Sequence, residues 1–180
     1  MLKNAKSSYG WVSIAIHWVM ALTIFFMFGL GLYMVELTYY DAWYKGSLEL
    51  HKSLGLLLLL MLLIRIGWRF ANTTPAELPG PRWERLSGHL MHVGLYLVML
   101  TLMVGGYLIS TADGRAISVF ELFNVPALPW SIDNQEDIAG EIHEILAWIL
   151  IGMAAVHALA AVKHQFINKD NGLKRILVSD

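Results

Sequence analysis

Residues Glu141–His164 read EIHEILAWILIGMAAVHALAAVKH, a long apolar segment that contains three histidines. His143 and His157 are 14 residues apart, which on an α-helix is close to four turns, so both imidazoles point the same way to within about 40°. The rise of an α-helix separates them by about 21 Å along its axis. The spacing therefore predicts one helix that serves two cofactor sites at two depths of a membrane.

The composition is that of an integral membrane protein. Of the 180 residues, 57% are hydrophobic and only 15% are charged, whereas soluble domains carry about 25% charged residues. The net charge of −1 gives no signal of nucleic-acid binding. Because the chain has no cysteine, disulfides, iron–sulfur clusters and covalently attached haem are excluded, and any haem must be bound non-covalently.

Four segments are long and apolar enough to span a bilayer, at about residues 11–37, 48–70, 88–110 and 140–165. The prediction is an all-α fold, a four-helix transmembrane bundle in which residues 1–180 form a single domain. The loop between the third and fourth segments is the longest. Within it, Ala116–Phe123 is predicted to form a short amphipathic segment on the outer surface.

The distribution of lysine and arginine predicts the orientation of the chain. If the N-terminus is cytoplasmic, ten basic residues lie on the cytoplasmic side and three on the outer side. The ten are Lys3, Lys6, Arg65, Arg69, Arg82, Arg85, Lys163, Lys169, Lys174 and Arg175. The three are Lys45, Lys52 and Arg115. We therefore expect a multi-pass protein with both termini in the cytoplasm.

Four histidines lie within the predicted spans at two matched depths. His17 in the first span and His157 in the fourth share the inner depth, whereas His51 in the second span and His143 share the outer depth. Ionisable groups are costly inside a membrane and are usually functional there. Each depth offers two imidazoles from different helices, as bis-histidine haem ligation requires. Isolated histidines bonded to carbonyl groups are the alternative, and four matched positions favour the ligand interpretation.

Arg65 follows His51 by the same 14 residues and is expected on the same helix face, at the inner depth. A guanidinium in that position needs an anion, and a haem propionate can bind it in a bidentate manner. The alternative is that the side chain reaches the cytoplasmic headgroups. On the outer side, Lys52 and Arg115 are candidates for the same role, with a surface position as the alternative.

Three further histidines lie toward the inner ends of the third and fourth spans. His89 and His92 are three residues apart on one helix face, which makes them candidates for alternative ligands, proton relays to a quinone or interfacial residues. His164 lies seven residues beyond His157. It is a candidate proton donor on the quinone side, because imidazole exchanges protons near neutral pH. A solvated histidine at the helix end is the alternative.

The motifs around these histidines resemble those of a known family. The resemblance rests on IHW in the first span, LHKSLG at the start of the second, IHEILAWILIGMAAVHALAAVKH in the fourth, and the RIGWR, HxxH and FINKD motifs. These motifs are similar to those of the bacterial cytochrome b561 family, which is itself similar to the b-type cytochrome subunits of nickel–iron hydrogenases and formate dehydrogenases. The resemblance covers nearly the whole chain.

The resemblance implies a bacterial inner-membrane protein that binds two haem b groups. His17 and His157 would ligate the inner haem, and His51 and His143 the outer one. The best-understood stand-alone member type oxidises superoxide on the periplasmic side and passes the electron to ubiquinone. His164 falls where that type has a histidine close to the quinone.

The resulting hypothesis is a transmembrane electron carrier between a periplasmic partner and the quinone pool, with superoxide:ubiquinone oxidoreductase as one version. A cytochrome b subunit of a larger dehydrogenase, docked through the outer loop, is the second version. A divalent-metal carrier that uses the four paired histidines is an alternative from another class, but the spans contain almost no carboxylates at mid-depth. We expect membrane lipid, ubiquinone and a periplasmic electron-transfer protein as partners, and no nucleic acid.

Overall fold

The computed structural model describes residues 1–170 and 172–178, and this described part contains four long helices. They are α1 (Trp11–Val35), α2 (Tyr44–Ala71), α3 (Arg82–Ser110) and α4 (Gln135–Lys163). Each is long and apolar enough to cross a membrane. The predicted four-helix transmembrane architecture is therefore confirmed. We refer to the end of the bundle that carries residue 1 and residues 172–178 as the inner end and to the opposite end as the outer end.

The four helices pack in chain order. α1 contacts α2, α2 contacts α3, α3 contacts α4, and a smaller contact between α4 and α1 closes the bundle. The buried core residues are Met20, Met27, Leu58, Leu62, Met99, Met103 and Leu150. Methionine side chains are flexible and fill irregular gaps between helices. They can therefore pack against the histidine side chains on either side of this core.

Large apolar side chains cover the outside of the bundle. Phe25 and Phe26 on α1, Leu63 on α2 and Trp148 on α4 are all exposed. A contiguous apolar surface of this kind is rare on soluble monomers, whereas lipid tails solvate it as well as a protein interior does. The exposed residues therefore fit a bundle that is embedded in a bilayer.

Three helices begin earlier than the predicted spans. α2 begins at Tyr44 rather than at residue 48, α3 at Arg82 rather than at 88, and α4 at Gln135 rather than at 140. Hydropathy marks only the part of a helix that lies in lipid, and the helix continues into water where its terminal groups find partners. Glu136 and Asp137 occupy the first turn of α4, where carboxylates interact favourably with the helix dipole.

The loop between α3 and α4 contains a two-stranded antiparallel hairpin, β1 (Ile117–Val119) and β2 (Phe123–Val125). Both ends of β1 are buried and its middle residue is exposed, so the predicted amphipathic segment alternates with the period of a strand. β-Branched residues at alternate positions favour this conformation. The Ser53 hydroxyl of α2 accepts a hydrogen bond from the Phe120 main-chain N–H at 3.1 Å, which holds the hairpin over the outer end of α2.

The inner end is formed by three segments that are linked to one another. A π-helical turn (His164–Asn168) and a short helix α5 (Lys174–Leu177) follow α4. Arg175 in α5 donates hydrogen bonds to the main-chain carbonyls of Ser7, 3.0 Å away, and Ala76, 2.9 Å away. The C-terminal segment therefore ties the N-terminal residues to the loop between α2 and α3.

Candidate cofactor sites

Two histidine pairs lie inside the bundle, and α4 contributes one residue to each. At the outer level, the rings of His51 on α2 and His143 on α4 have centroids 6.2 Å apart and an interplanar angle of 67°. At the inner level, the rings of His17 on α1 and His157 on α4 have centroids 6.4 Å apart and an interplanar angle of 69°. The structure therefore brings together the same residues that the sequence groups by depth.

The ring separations fit a metal ion held between two imidazoles. A bond from a metal ion to an imidazole nitrogen is about 2 Å long, and that nitrogen lies about 1 Å from the ring centre, so two rings on opposite sides of one metal have centroids about 6 Å apart. Both pairs match this separation. Two neutral imidazoles from different helices are the donor set of bis-histidine haem b, which is held non-covalently.

The surroundings of the outer pair orient one ring and leave the other free. His143 Nδ1 lies 2.9 Å from the main-chain carbonyl oxygen of Leu102, to which it donates a hydrogen bond. The Nε2 atom of the neutral ring is then free to bind a metal. His51 Nδ1 is buried and has no hydrogen-bond partner in the described structure. An unsatisfied buried polar atom costs about 1–3 kcal/mol, so its retention here favours a functional role over a packing role.

Two glycines leave room beside the outer rings. A Cβ atom on Gly106 would lie 3.1 Å from His143 Cε1, and one on Gly31 would lie 3.6 Å from His51 Cε1. The first distance is shorter than van der Waals contact, so a side chain at Gly106 would displace the imidazole. The lining of this region is largely apolar and encloses a cavity of about 100 Å³.

Arg65 on α2 contacts the inner pair. Its Nη2 atom lies 3.0 Å from His17 Nδ1, and its Nε atom donates a hydrogen bond to the Tyr96 hydroxyl at 3.0 Å. The side chain therefore points into the bundle rather than toward the headgroups. A guanidinium can only donate, so His17 Nδ1 accepts and Nε2 carries the proton. Metal binding through Nε2 requires the guanidinium to turn away from Nδ1, and the role of Arg65 as a propionate partner stays a prediction.

A third imidazole lies beside the inner pair. The ring of His92 on α3 is 5.1 Å from that of His157, centroid to centroid, a separation shorter than a shared metal requires. His89 is exposed. Across residues 1–170 and 172–178, no group of three or more histidine, aspartate or glutamate side chains is arranged to hold a metal ion. The outer level thus has two imidazoles, and the inner level has two with a third beside them.

The inner pair borders a cavity of about 480 Å³, which is within the usual size range of ligand and cofactor sites. Its lining includes apolar residues from all four helices together with His92 and His164. His164 is in the π-helical turn, a feature that occurs frequently at functional sites. Its Nδ1 atom lies 2.5 Å from the Asp170 carboxylate, and the other oxygen of Asp170 accepts the Gly172 main-chain N–H at 3.0 Å.

One ion pair at the outer end joins Arg115 to Asp113. Arg115 Nε donates to the Asp113 carboxylate at 2.5 Å, and its main-chain N–H donates to the other carboxylate oxygen at 2.9 Å. These hydrogen bonds lower the pKa of the Asp113 carboxyl, and the charge of nearby Lys52 lowers it further. Lys52 lines the outer cavity, whereas Arg115 is exposed on the surface beside Asp113.

Sequence reasoning missed two residues that contact the candidate site residues. Tyr96 anchors Arg65, and its signal is a hydroxyl in the middle of the third span. Asp170 orients His164, and its signal is a carboxylate six residues beyond that histidine. In both cases the partner becomes visible only when the packing of the helices and the fold of the C-terminal segment are known.

Comparisons with known proteins agree with this architecture. The family described as prokaryotic cytochrome b561 matches residues 8–178. The chain is 46% identical over 175 residues to cytochrome b561 homolog 2 of Escherichia coli (strain K12), covering 97% of this chain and 93% of the relative. It is 32% identical over 132 residues to cytochrome b561 homolog 1 of the same organism, covering 72% and 73%.

A third relative is less similar, but the match covers nearly the whole length of both chains. The protein named probable superoxide oxidase CybB of Yersinia pestis is 29% identical over 173 residues, covering 94% of this chain and 95% of the relative. The family match covers most of the chain, and the four apolar helices can span a membrane. The chain therefore belongs to the prokaryotic cytochrome b561 family, the b-type cytochromes that bind haem b and transfer electrons in bacterial membranes.

Proposed function

We propose that this chain is a di-haem b cytochrome that transfers electrons across the bacterial inner membrane, between a periplasmic partner at the outer end and quinone at the inner end. One observation supports the proposal above all others. Two histidine pairs have nearly the same ring separation, 6.2 and 6.4 Å, at two levels of one bundle. When bound, haem supplies a reversible one-electron iron centre.

The chain's own residues would ligate and orient the two groups. His51 and His143 would hold the outer haem, and His17 and His157 the inner one. The hydrogen bond from His143 to Leu102 presents a lone pair without any rearrangement of the ring. Arg65, already beside the inner pair, would turn from His17 toward a propionate.

We infer that the part of the inner cavity beside His164, away from the space between His17 and His157 that the inner haem would fill, admits a quinone, with ubiquinone as the expected substrate. The cavity combines an apolar lining with a few polar groups, which is the usual composition of a site for an amphipathic ligand. His164 borders it, and its contact with Asp170 holds the imidazole in one orientation. The histidine could thereby deliver a proton to a reduced quinone oxygen from the inner side.

The proposed orientation places both termini in the cytoplasm. The inner end contains ten of the thirteen basic residues, and basic residues concentrate on the cytoplasmic side of membrane proteins. The hairpin end then faces the periplasm, where an electron-transfer protein or a small donor would meet the outer haem.

Superoxide is a second candidate for the outer donor, because the Yersinia pestis relative that covers nearly the whole chain is named a probable superoxide oxidase. Superoxide is an anion, and a positive potential would attract it. Lys52 lines the outer cavity and provides one such charge, whereas Arg115 is neutralised by Asp113.

Two measurements test the proposal. Reduced-minus-oxidised optical spectra of the purified protein, with haem quantified per polypeptide, should show two haem b groups, and one haem or none would contradict it. Stopped-flow mixing should then show reduction by superoxide or by a periplasmic donor, and oxidation by a short-chain ubiquinone analogue. A reduced protein that ubiquinone fails to oxidise would exclude quinone as the inner acceptor.

A further inference from the structure

The inner histidine pair has a cation beside it that no carboxylate neutralises. Arg65 contacts His17 and Tyr96 through its guanidinium, and the guanidinium carbon also lies 5.6 Å from the centre of the Tyr96 ring. The side chain is half-buried. Within the described structure no ion pair joins it to a carboxylate.

The carboxylates that border the inner cavity are already paired with other residues. Glu84 accepts from Lys163 at 2.5 Å, and Glu77 lies 3.6 Å from Arg85. Arg175 is bonded to main-chain carbonyl oxygens, which carry no net charge. The positively charged side chains around the inner cavity therefore outnumber the negatively charged ones. Arg65 is the positively charged side chain that contacts a candidate ligand, His17.

Among the described residues, no lysine or arginine makes a hydrogen bond to the outer pair as Arg65 does to His17. Arg115 is paired with Asp113 and its side chain is mostly exposed. Lys52 is also exposed, so water and salt screen its charge. The polar group that touches the outer pair is the neutral carbonyl of Leu102.

We propose that Arg65 raises the reduction potential of the inner haem above that of the outer haem, an inference that rests on the proposed di-haem function. Reduction adds one electron and makes the site less positive by one charge. A fixed cation nearby favours the reduced form, and most strongly in a partly buried site of low dielectric constant. The bond to Tyr96 keeps the guanidinium beside the inner pair after it turns away from His17. If it then meets a propionate, its charge offsets the negative charge of that carboxylate, which would otherwise favour the oxidised form, so the direction of the effect is the same. Electrons that enter at the outer end then move downhill to the inner end.

A redox titration of the purified protein tests this role. The haem content per polypeptide is measured first, because fewer than two haem b groups would defeat the proposed function and not the inference about Arg65. The α-band absorbance is then followed against potential in the unaltered protein and in Arg65→Gln, Arg65→Lys and Arg115→Gln. His143→Ala identifies the inner component as the one that remains.

In Arg65→Gln the higher of the two midpoint potentials should fall, while the lower one stays unchanged. Arg65→Lys should keep most of the difference, because it retains the charge, and Arg115→Gln should change neither value. If Arg65→Gln binds no haem, Tyr96→Phe replaces it and should lower the same midpoint by a smaller amount. The proposal is overturned if neither midpoint moves, if only the lower one moves, or if lysine and glutamine have equal effects.

Discussion

His143 Nδ1 donates a hydrogen bond to the main-chain carbonyl oxygen of Leu102 across 2.9 Å. The acceptor belongs to α3, so the packing of α3 against α4 sets the ring orientation in the outer pair. Because the acceptor is a main-chain atom, the orientation survives substitution of the Leu102 side chain. The contact holds the His143 ring in the orientation that its proposed role as a ligand requires.

Removal of His143 should eliminate the outer haem alone. The variant His143→Ala should bind one haem b per polypeptide instead of two, because the inner pair of His17 and His157 is untouched. Pyridine haemochrome analysis measures the ratio. His89→Ala is the control, since His89 is exposed and belongs to neither pair. Loss of both haem groups in His143→Ala, or of neither, would refute the assignment of pairs by depth.

A side chain at Gly106 should disturb the outer site selectively. A Cβ there would lie 3.1 Å from His143 Cε1, so Gly106→Val should displace the ring and lower occupancy or shift the spectrum of the outer component. Gly152→Ala in α4 is the matched control, because its Cβ would meet nothing within 4 Å. That control should leave both spectra intact and change stability by no more than about 1 kcal/mol, the usual difference between glycine and alanine in a helix. Equal spectral effects from the two variants would contradict the steric argument.

Neutralising Asp113 should speed the reaction with superoxide if superoxide is the outer donor. Asp113→Asn leaves the Arg115 charge uncompensated at the outer end, and a positive potential attracts an anionic reactant. We expect a severalfold higher second-order rate at low salt, and the gain should vanish at about 1 M salt, where the Debye length is about 3 Å. Pulse radiolysis with detection of haem reduction measures the rate. An unchanged rate at low salt would rule out Asp113 as a determinant of donor choice.

The pKa of Asp113 determines how the effect of Asp113→Asn on the superoxide rate should vary with pH. Hydrogen bonds from Arg115 lower the pKa of Asp113 below its usual value of 3.8. The pKa of the Asp113 carboxyl is lower in the folded protein than in the unfolded chain. The ion pair with Arg115 is therefore fully present above the usual pKa, and it is lost only as the pH falls through the lowered value. The effect of Asp113→Asn on the superoxide rate should therefore be constant between about pH 6 and 8, where superoxide is an anion. A change within that window would point to another titrating group.

Loss of the Asp170 charge should slow electron transfer to quinone without loss of haem. Asp170→Asn keeps the shape of the side chain but weakens the 2.5 Å contact that orients His164. General acid catalysis contributes about 10²–10⁴-fold, so we expect oxidation by a ubiquinone analogue to slow by about tenfold or more. Lys169→Gln, an exposed neighbour, is the control. Unaltered kinetics with His164→Gln would exclude the histidine itself from the proton pathway.

The parts of the fold that hydropathy encodes were predictable. Spans of about 20 apolar residues identify transmembrane helices because the thickness of the bilayer sets their length. The relative position of His143 and His157 was also predictable. They are 14 residues apart on one helix, and helix geometry gives both the angle between the two side chains and their separation along the axis. The histidine pairs follow from these two regularities alone.

Contacts that depend on tertiary packing were not predictable. The first turns of α2, α3 and α4 lie outside the apolar spans, so hydropathy does not show where these helices begin. The hairpin of β1 and β2 depends on residues far apart in sequence, since its anchor is Ser53. The contact of Arg65 with His17 joins residues that are 48 positions apart, and no periodicity in either helix reveals it.

Because α4 carries one histidine of each pair, the 14 residues from His143 to His157 fix the distance between the two pairs and their relative direction. Insertion of a single residue between these two histidines would rotate one imidazole by about 100° relative to the other and move it about 1.5 Å. One of the two pairs would then be broken, whichever end of the helix stayed in place. Related chains of different length are therefore expected to gain or lose residues in the loops and termini, and to keep this interval at 14.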